Sequence, residues 1–351
     1  MIILQKGEKG SYKYTDSKNK EINDTEILEY IKKLVIPPNY HDVKIFYQKQ
    51  GQPKILYQGF DNKKRLQRIY SEAWKNKAMR KKFCELLNFA EQIQKISIAV
   101  KEQMVSEKLT KKKMISMIIR IVMVCYFRIG NKRYQELYGS FGAMNIQKKH
   151  IKFKKGPDGT EYMFISFSGK KGVLNTCDIT DRQLIAEVKR LLVFRDDEEM
   201  VFQWLDHGVN IPVRAVDINF WLKEFDPVIT SKDFRTYDAN ILLIIFLREQ
   251  PDPVKLTYSQ RKRIIVAAMK QISEKIHNTP AILRKNYTAG GIVSLYLNEP
   301  IKFNRYFTND KKPRRVFIGY LRDYCKDYDD EKNEVKSEGG GGFKKNLKKK
   351  R

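Results

Sequence analysis

The segment "RKNYTAGG" (284–291) sets a phenol, Tyr287, just after two cations and just before a Gly-Gly pair. A phenol ordinarily ionises near pH 10, so it becomes a useful nucleophile only where cations stabilise its conjugate base. Three other basic features lie at the edges of expected elements. Arg128 in "FRIGNKRY" follows an apolar helix, and Lys170 and Lys171 in "SGKKGV" occupy a hairpin tip. Arg235 in "SKDFRTYDAN" falls in the first turn of a helix, where the helix dipole disfavours a cation. These are the parts needed to exchange a phosphodiester bond without a metal. Two guanidinium forks can grip the non-bridging oxygens and neutralise charge building at phosphorus. A phenol held by its helix can attack to give a covalent intermediate. A lysine with cationic neighbours can protonate the departing 5′ oxygen. Singly, each residue has a plainer reading: Tyr287 as a half-buried helix end, Arg128 as a cation at a helix C-terminus, the lysines as a polar turn.

The charge balance fits a polyanionic partner. The chain has 351 residues, with 69 Lys+Arg against 41 Asp+Glu, a formal net charge of +28. Six of those positives lie in the last eight residues, and +22 remains without them. The excess therefore belongs to the body of the protein and favours nucleic acid first, an anionic membrane second. The most apolar stretch, "MISMIIRIVMVCYF" (114–127), is interrupted by Arg120 and is shorter than the roughly 20 residues of a membrane span. The opening "MIILQKGEKGSYKY" turns charged too soon for a signal peptide. Cys84, Cys125, Cys177 and Cys325 are scattered without a CxxC pair and read as reduced thiols of an intracellular protein. Four histidines without ligand spacing, and no clustered carboxylates, argue against a metal mechanism; no cofactor is expected.

The positioning elements predict an α+β chain: a small β-rich N-terminal domain and a larger, mainly helical one. Two hairpins are expected, "IILQKG" with "SYKYT" and "VKIFYQKQ" with "ILYQGF". Between them "DTEILEYIKKLV" reads as a helix capped by Asp24 or Thr25 and ended before Pro37-Pro38. Residues 61–82 hold nine cations and two acids with interleaved aromatics, either a solvated basic face or a phosphate-tracking surface using Tyr70 and Trp74. Helices dominate from about residue 78, interrupted by a three-stranded meander over "HIKFKK", "EYMFISFSG" and "VLNTCDIT". Later helical patterns fall at 181–193, 213–224, 232–249, 257–276 and 280–297. The expected domains are 1–77, 78–325 and a flexible acidic, glycine-rich, then basic tail over 326–351.

In their order along the chain, "FRIGNKRY", "FSGKKG", "KDFRTY" and "NTPAILRKNY" resemble the signature segments of type IB DNA topoisomerases, in the poxvirus, giant-virus and bacterial branch. "IPPNYHDVKIF" and "GFDNKKRLQRIYSEAW" resemble that branch's N-terminal segments, so the likeness covers about residues 20–300. The resemblance implies a C-shaped clamp on duplex DNA, acting as a monomer, that nicks one strand through a 3′-phosphotyrosyl link, lets the end swivel and reseals it without ATP. It implies Tyr287 as nucleophile, Arg128 and Arg235 as phosphate-binding arginines, and Lys170 as general acid, with Lys171 the alternative if the register slips. Arg65, Gln67, Tyr70 and Tyr134 would contact DNA, joined by Lys63, Arg133 and Lys232. Members of the family carry His or Asn directly before "TP"; here Asn278 holds that place, and His277, one residue earlier, is the alternative phosphate ligand. Asn131 stands where a basic residue is common after "RIG". The rival readings are a tyrosine recombinase, which would usually show a histidine where Lys232 stands, and a DNA-coating protein that merely uses the charge.

Overall fold

The structure is a computed structural model that describes the backbone of residues 1–7 and 11–338, with side chains through residue 326. The chain divides into two compact units, Met1–Lys82 and Phe83–Arg351.

The first unit is a five-stranded antiparallel sheet with one helix. Its elements are β1 (Ile2–Lys6), β2 (Lys13–Asp16), α1 (Thr25–Lys33), β3 (His41–Phe46), β4 (Ile55–Phe60) and β5 (Leu66–Tyr70), in spatial order β2-β1-β3-β4-β5. Asp24 caps α1, accepting from the Glu26 and Ile27 amides. Ile27 and Ile31, one turn apart, pack on Ile3, Val43, Ile45 and Tyr57, which the two-residue strand period sends to one face of the sheet. Both expected hairpins are present. β5 was not anticipated, because its Leu66 and Ile69 are three residues apart and break the two-residue strand pattern. A tight turn starts it: Asp61 Oδ1 accepts from the Lys63 and Arg65 amides, at 3.0 Å each.

A long helix, α2 (Glu72–Met104), spans the division between the units. The second unit continues with α3 (Lys111–Cys125), α4 (Lys132–Tyr138), β6 (Ile151–Lys155), β7 (Glu161–Ser168), β8 (Leu174–Ile179), α5 (Arg182–Leu192), β9 (Gln203–Asp206) and β10 (Val209–Pro212). It ends with α6 (Ala215–Leu222), α7 (Ser231–Arg248), α8 (Tyr258–Lys275), α9 (Pro280–Asn286), α10 (Gly290–Asn298), α11 (Pro300–Tyr306) and α12 (Pro313–Glu338). β6-β7-β8 form the expected meander. α3 is the expected core helix, with Met114 through Ile119 all buried. Its buried Lys113 is tolerated because Nζ meets Glu187 at 2.6 Å and the Ser106 carbonyl at 2.6 Å.

Four features depart from the sequence pattern. The helix expected over 280–297 is two helices, broken at Tyr287–Ala289. The hairpin β9–β10 and helices α11 and α12 were not foreseen. α12 runs to Glu338, so helix covers part of the segment expected as a flexible tail from 326; residues 339–351 lie outside the described residues. The four cysteines are not free thiols: Cys84 is bonded to Cys325 and Cys125 to Cys177. Separations of 241 and 52 residues hid these pairs from any spacing rule, yet the fold brings their Cα atoms to 5.5 and 5.6 Å, within disulfide reach. Protein purified without reductant is expected to show no free thiol in denaturant and four after reduction. Reduction should remove roughly 2–4 kcal/mol of stability per bridge, read as a lower melting temperature; four titratable thiols before reduction would contradict the pairing.

Candidate active site

Three side chains from distant parts of the second unit meet at one point. α3 ends at Tyr126, a C-cap in the left-handed region (φ 56°), which turns the chain sharply toward Arg128. That segment is pinned by its backbone: Ala143 N–H donates to the Arg128 carbonyl and Met144 N–H to that of Ile129, both at 2.8 Å. The strands of this contact approach so closely that a Cβ on Gly142 would strike the Arg128 carbonyl and the Gly130 amide. Glycine is therefore required at 142.

Arg235 is the fifth residue of α7, one residue further in than the expected helix placed it, and is only 4% exposed. Its Nη1 donates to the Tyr126 carbonyl and its Nη2 to that of Ile276. Arg128 Nη1 donates to the next carbonyl along, His277, at 3.3 Å. The 276–277 backbone thus receives both arginines. The Arg235 guanidinium carbon lies 5.5 Å from the centre of the Tyr287 ring, and the Tyr287 hydroxyl accepts from both guanidiniums.

Tyr287 is the C-cap of α9, so its plainer reading as a helix end is correct. Asn240, fully buried on α7, explains both the break and the placement. Its Nδ2 donates to the Tyr287 carbonyl at 2.8 Å, and its Oδ1 accepts from the Ala289 amide at 2.8 Å. These bonds bind the backbone between α9 and α10 to α7 and prevent a continuous helix.

The electrostatics follow from this packing. Burial alone would raise the Tyr287 pKa; the charges and hydrogen bonds of Arg235 and Arg128 outweigh it and the phenol is shifted below its usual value. Burial, and then Arg128, lower Arg235 to about 10, with Tyr287 opposing. His277 is held in the left-handed region (φ 51°) with its ring 5.2 Å from Phe127. Burial first and then Arg235 lower its pKa to about 4, so it is neutral near pH 7 and bonded to the Cys125 carbonyl. Asn278 Oδ1 accepts from the Thr279 amide, whereas its Nδ2 is enclosed without a partner, an unspent donor on the residue after the His277 anchor.

The remaining expected residues stand apart from this cluster. Lys170 and Lys171 are exposed in a 3-10 turn between β7 and β8, and neither is hydrogen-bonded to the three. Lys232 is exposed in the first turn of α7. Arg133 and Tyr134 lie on α4, where Tyr134 is 52% exposed and its ring is 5.8 Å from that of Tyr138. In the first unit, Lys63 is exposed, while Arg65 and Gln67 both bind the Asp61 carboxylate, at 2.7 and 3.0 Å. The Arg65 hydrogen bond holds Asp61 down to about 2. Lys54 Nζ covers the Trp74 ring at 3.9 Å. Arg68, which no motif singled out, shares a cross-strand row with Leu4, Lys44 and Gln58, on the face opposite the core; Tyr70 is two residues further along the same strand. Of the unforeseen residues, Asn240 left one trace in the sequence, an amide just before the apolar run Ile241–Leu247.

The family model of the eukaryotic DNA topoisomerase I catalytic core matches residues 71–294, and that of the bacterial DNA topoisomerase IB N-terminal domain matches residues 11–56. The chain belongs to the DNA topoisomerase I family, in its type IB branch. It is accordingly an isomerase of the type I class with DNA as its substrate. DNA topoisomerase 1B of Acanthamoeba polyphaga mimivirus is 28% identical over 92% of this chain and 94% of its own length. DNA topoisomerase I of monkeypox virus and DNA topoisomerase 1B of vaccinia virus are each 22% identical over 77% of this chain and 81% of theirs. Among the described residues, no helix is long and apolar enough to cross a membrane.

Replacing Asn240 by Ala leaves the Tyr287 carbonyl and the Ala289 amide without their partner. The expected cost is about 1–3 kcal/mol in chemical denaturation, with a larger loss in single-turnover DNA cleavage than in DNA affinity. An equal loss in both would show that Asn240 does not position Tyr287.

Proposed function

We propose that this protein relaxes supercoiled duplex DNA by nicking one strand through a 3′-phosphotyrosyl link at Tyr287, allowing rotation, and rejoining the strand. The observation that carries the reading is the Tyr287 hydroxyl receiving hydrogen bonds from Arg128 and Arg235 in one partly buried cluster. In this mechanism the Tyr287 oxygen attacks phosphorus in line while its proton passes to water. The P–O5′ bond breaks and the O5′ atom takes a proton from Lys170, or from Lys171. The two arginines hold the non-bridging oxygens, and the enclosed Asn278 amide supplies a further neutral donor. His277 is less suited, because its ring is neutral and bonded to Cys125. The phosphotyrosyl ester is close in energy to the bond it replaces, so the 5′ hydroxyl can attack it in return with no ATP. Lys170 and Lys171 lie on an exposed turn, and the hairpin must bring one of them to the phosphate when DNA is bound.

Each unit supplies its own DNA contacts in this reading, and the protein acts as a monomer. Arg133, Tyr134 and Lys232 serve the catalytic unit. Lys63, Arg65, Gln67 and Tyr70 serve the N-terminal one, with Arg68 added by its place on the sheet. Arg65 and Gln67 exchange Asp61 for DNA when they bind.

Incubation with negatively supercoiled plasmid in EDTA without ATP should give a ladder of relaxed topoisomers. A band shift alone would mark a coating protein, and a need for paired specific sites would mark a recombinase. Tyr287→Phe should keep DNA affinity and form no covalent adduct; an adduct surviving on denaturing gels would remove Tyr287 as nucleophile. Given the +28 charge, affinity should fall several-fold or more between about 50 and about 200 mM salt. A flat response would exclude phosphate-dominated binding.

A further inference from the structure

The proposed mechanism uses Arg235 and leaves its neighbour Asp238 without a role. Asp238 is three residues further along α7, on the same side of the helix. Its Oδ2 is completely enclosed and has no hydrogen-bond partner. The Nε of Arg235 is enclosed and unpartnered as well, while Nη1 and Nη2 are committed to the Tyr126 and Ile276 carbonyls. A donor and an acceptor, both buried and both unsatisfied, thus lie one helical turn apart and are not joined. The charged and titratable groups that act on the Asp238 carboxyl, or that it acts on, are Arg235 and Tyr237 on α7 and Tyr126 beyond the end of α3. Burial raises both phenols and Asp238 adds to the shift, with Arg314 opposing it at Tyr237, and both are neutral over the working range.

Asp238 is half-buried, and a carboxylate with one oxygen enclosed and no donor to that oxygen is costly, so such a group holds its proton more tightly. Burial raises Asp238 to about 8, against the pull of Arg235. Ionised, it would take the free Nε–H of Arg235 and add a negative charge behind the guanidinium that is to hold a phosphate.

We propose that Asp238 is a positioning residue that works as a neutral acid behind Arg235, and that a DNA phosphate at the Arg128–Arg235–Tyr287 cluster fixes its proton in place. This rests on the reading of that cluster as the phosphate site. The neutral acid leaves the whole guanidinium charge available to the phosphate. An anionic phosphate in turn disfavours the carboxylate, so above the ionisation of the free acid the complex holds one proton more than the free protein. Affinity then declines as pH rises through that range.

The test compares Tyr287→Phe with Tyr287→Phe/Asp238→Asn, which can bind but not cleave, on a short duplex from about pH 7 to about pH 9.5. Tyr287→Phe should lose up to about tenfold in affinity per pH unit once the acid ionises, beyond any decline the two proteins share. The double variant should show only the shared decline. The same pH dependence in both, or a large loss in the double variant at neutral pH, overturns the proposal.

A readout without DNA separates this from the phosphate reading. A carboxyl whose folded pKa is raised contributes its full stability only below its unfolded value and loses it as pH rises toward the folded one. Asp238→Asn should therefore melt above the unsubstituted protein at neutral pH, with the gap closing as pH falls to about 4. Equal melting at neutral pH overturns the neutral acid. If the asparagine variant does not fold, infrared spectra of the unsubstituted protein decide: a protonated carboxyl band that titrates away near pH 8 is expected, and its absence at neutral pH overturns the proposal. Tyr287→Phe failing to bind duplex at any pH, with the melting result as expected, would refute the phosphate site and leave the neutral acid standing.

Discussion

Two guanidiniums share one phenol hydroxyl, and much of the second unit exists to make that possible. Two guanidinium charges close enough to act on one hydroxyl repel each other, and Arg128 lowers the Arg235 pKa accordingly. The protein offsets this by lodging the arginines on successive carbonyls of one short turn, Ile276 and His277, with Tyr126 as a third acceptor. The left-handed residues at 126 and 277 are what turn those carbonyls inward. Neutral His277 adds no third positive charge, and its bond to the Cys125 carbonyl closes the ring of contacts. The site is therefore built largely from backbone acceptors, with the cations as guests.

That construction explains which parts could be read from the sequence. Arg128, Arg235 and Tyr287 were legible because each is a charged or reactive side chain at the edge of a periodic element, and their order was informative. The strands of the meander and most helices followed from periods of 2 and 3.6. What could not be read was carried by the backbone or by pairings distant in sequence. The carbonyls of Tyr126 and Ile276 have no sequence signature. Asn240 looks like an ordinary polar residue until the chain between α9 and α10 is folded against it, and its bonds overrule the helical pattern of 280–297. Cys125 and Cys177 give no spacing cue. Strand β5 was hidden because Leu66 and Ile69 are three residues apart and break the two-residue alternation that reveals a strand.

Lys170 and Lys171 show a different limit. The sequence places them at a hairpin tip, and the structure has them there, exposed. Their role depends on what the hairpin does against DNA, which neither the pattern nor the packing of the protein alone determines. The Arg65–Asp61–Gln67 group in the first unit is similar: the Asp61 carboxylate holds both side chains, a pairing the sequence pattern does not show.

The latch made by Asn240 has a mechanical consequence. Arg235 and the residue that grips the backbone at Tyr287 belong to the same helix, five positions apart, so a rocking of α7 carries cation and phenol along as one rigid piece. Their mutual spacing is then insensitive to displacements of α7 within the unit. Arg128 hangs from the end of a different helix and the lysines from a hairpin, so torque reaching the site can change only those two registrations. Under the proposed function, a brake on strand rotation would load those joints first, while Arg235 and Tyr287 would keep their alignment for rejoining the strand.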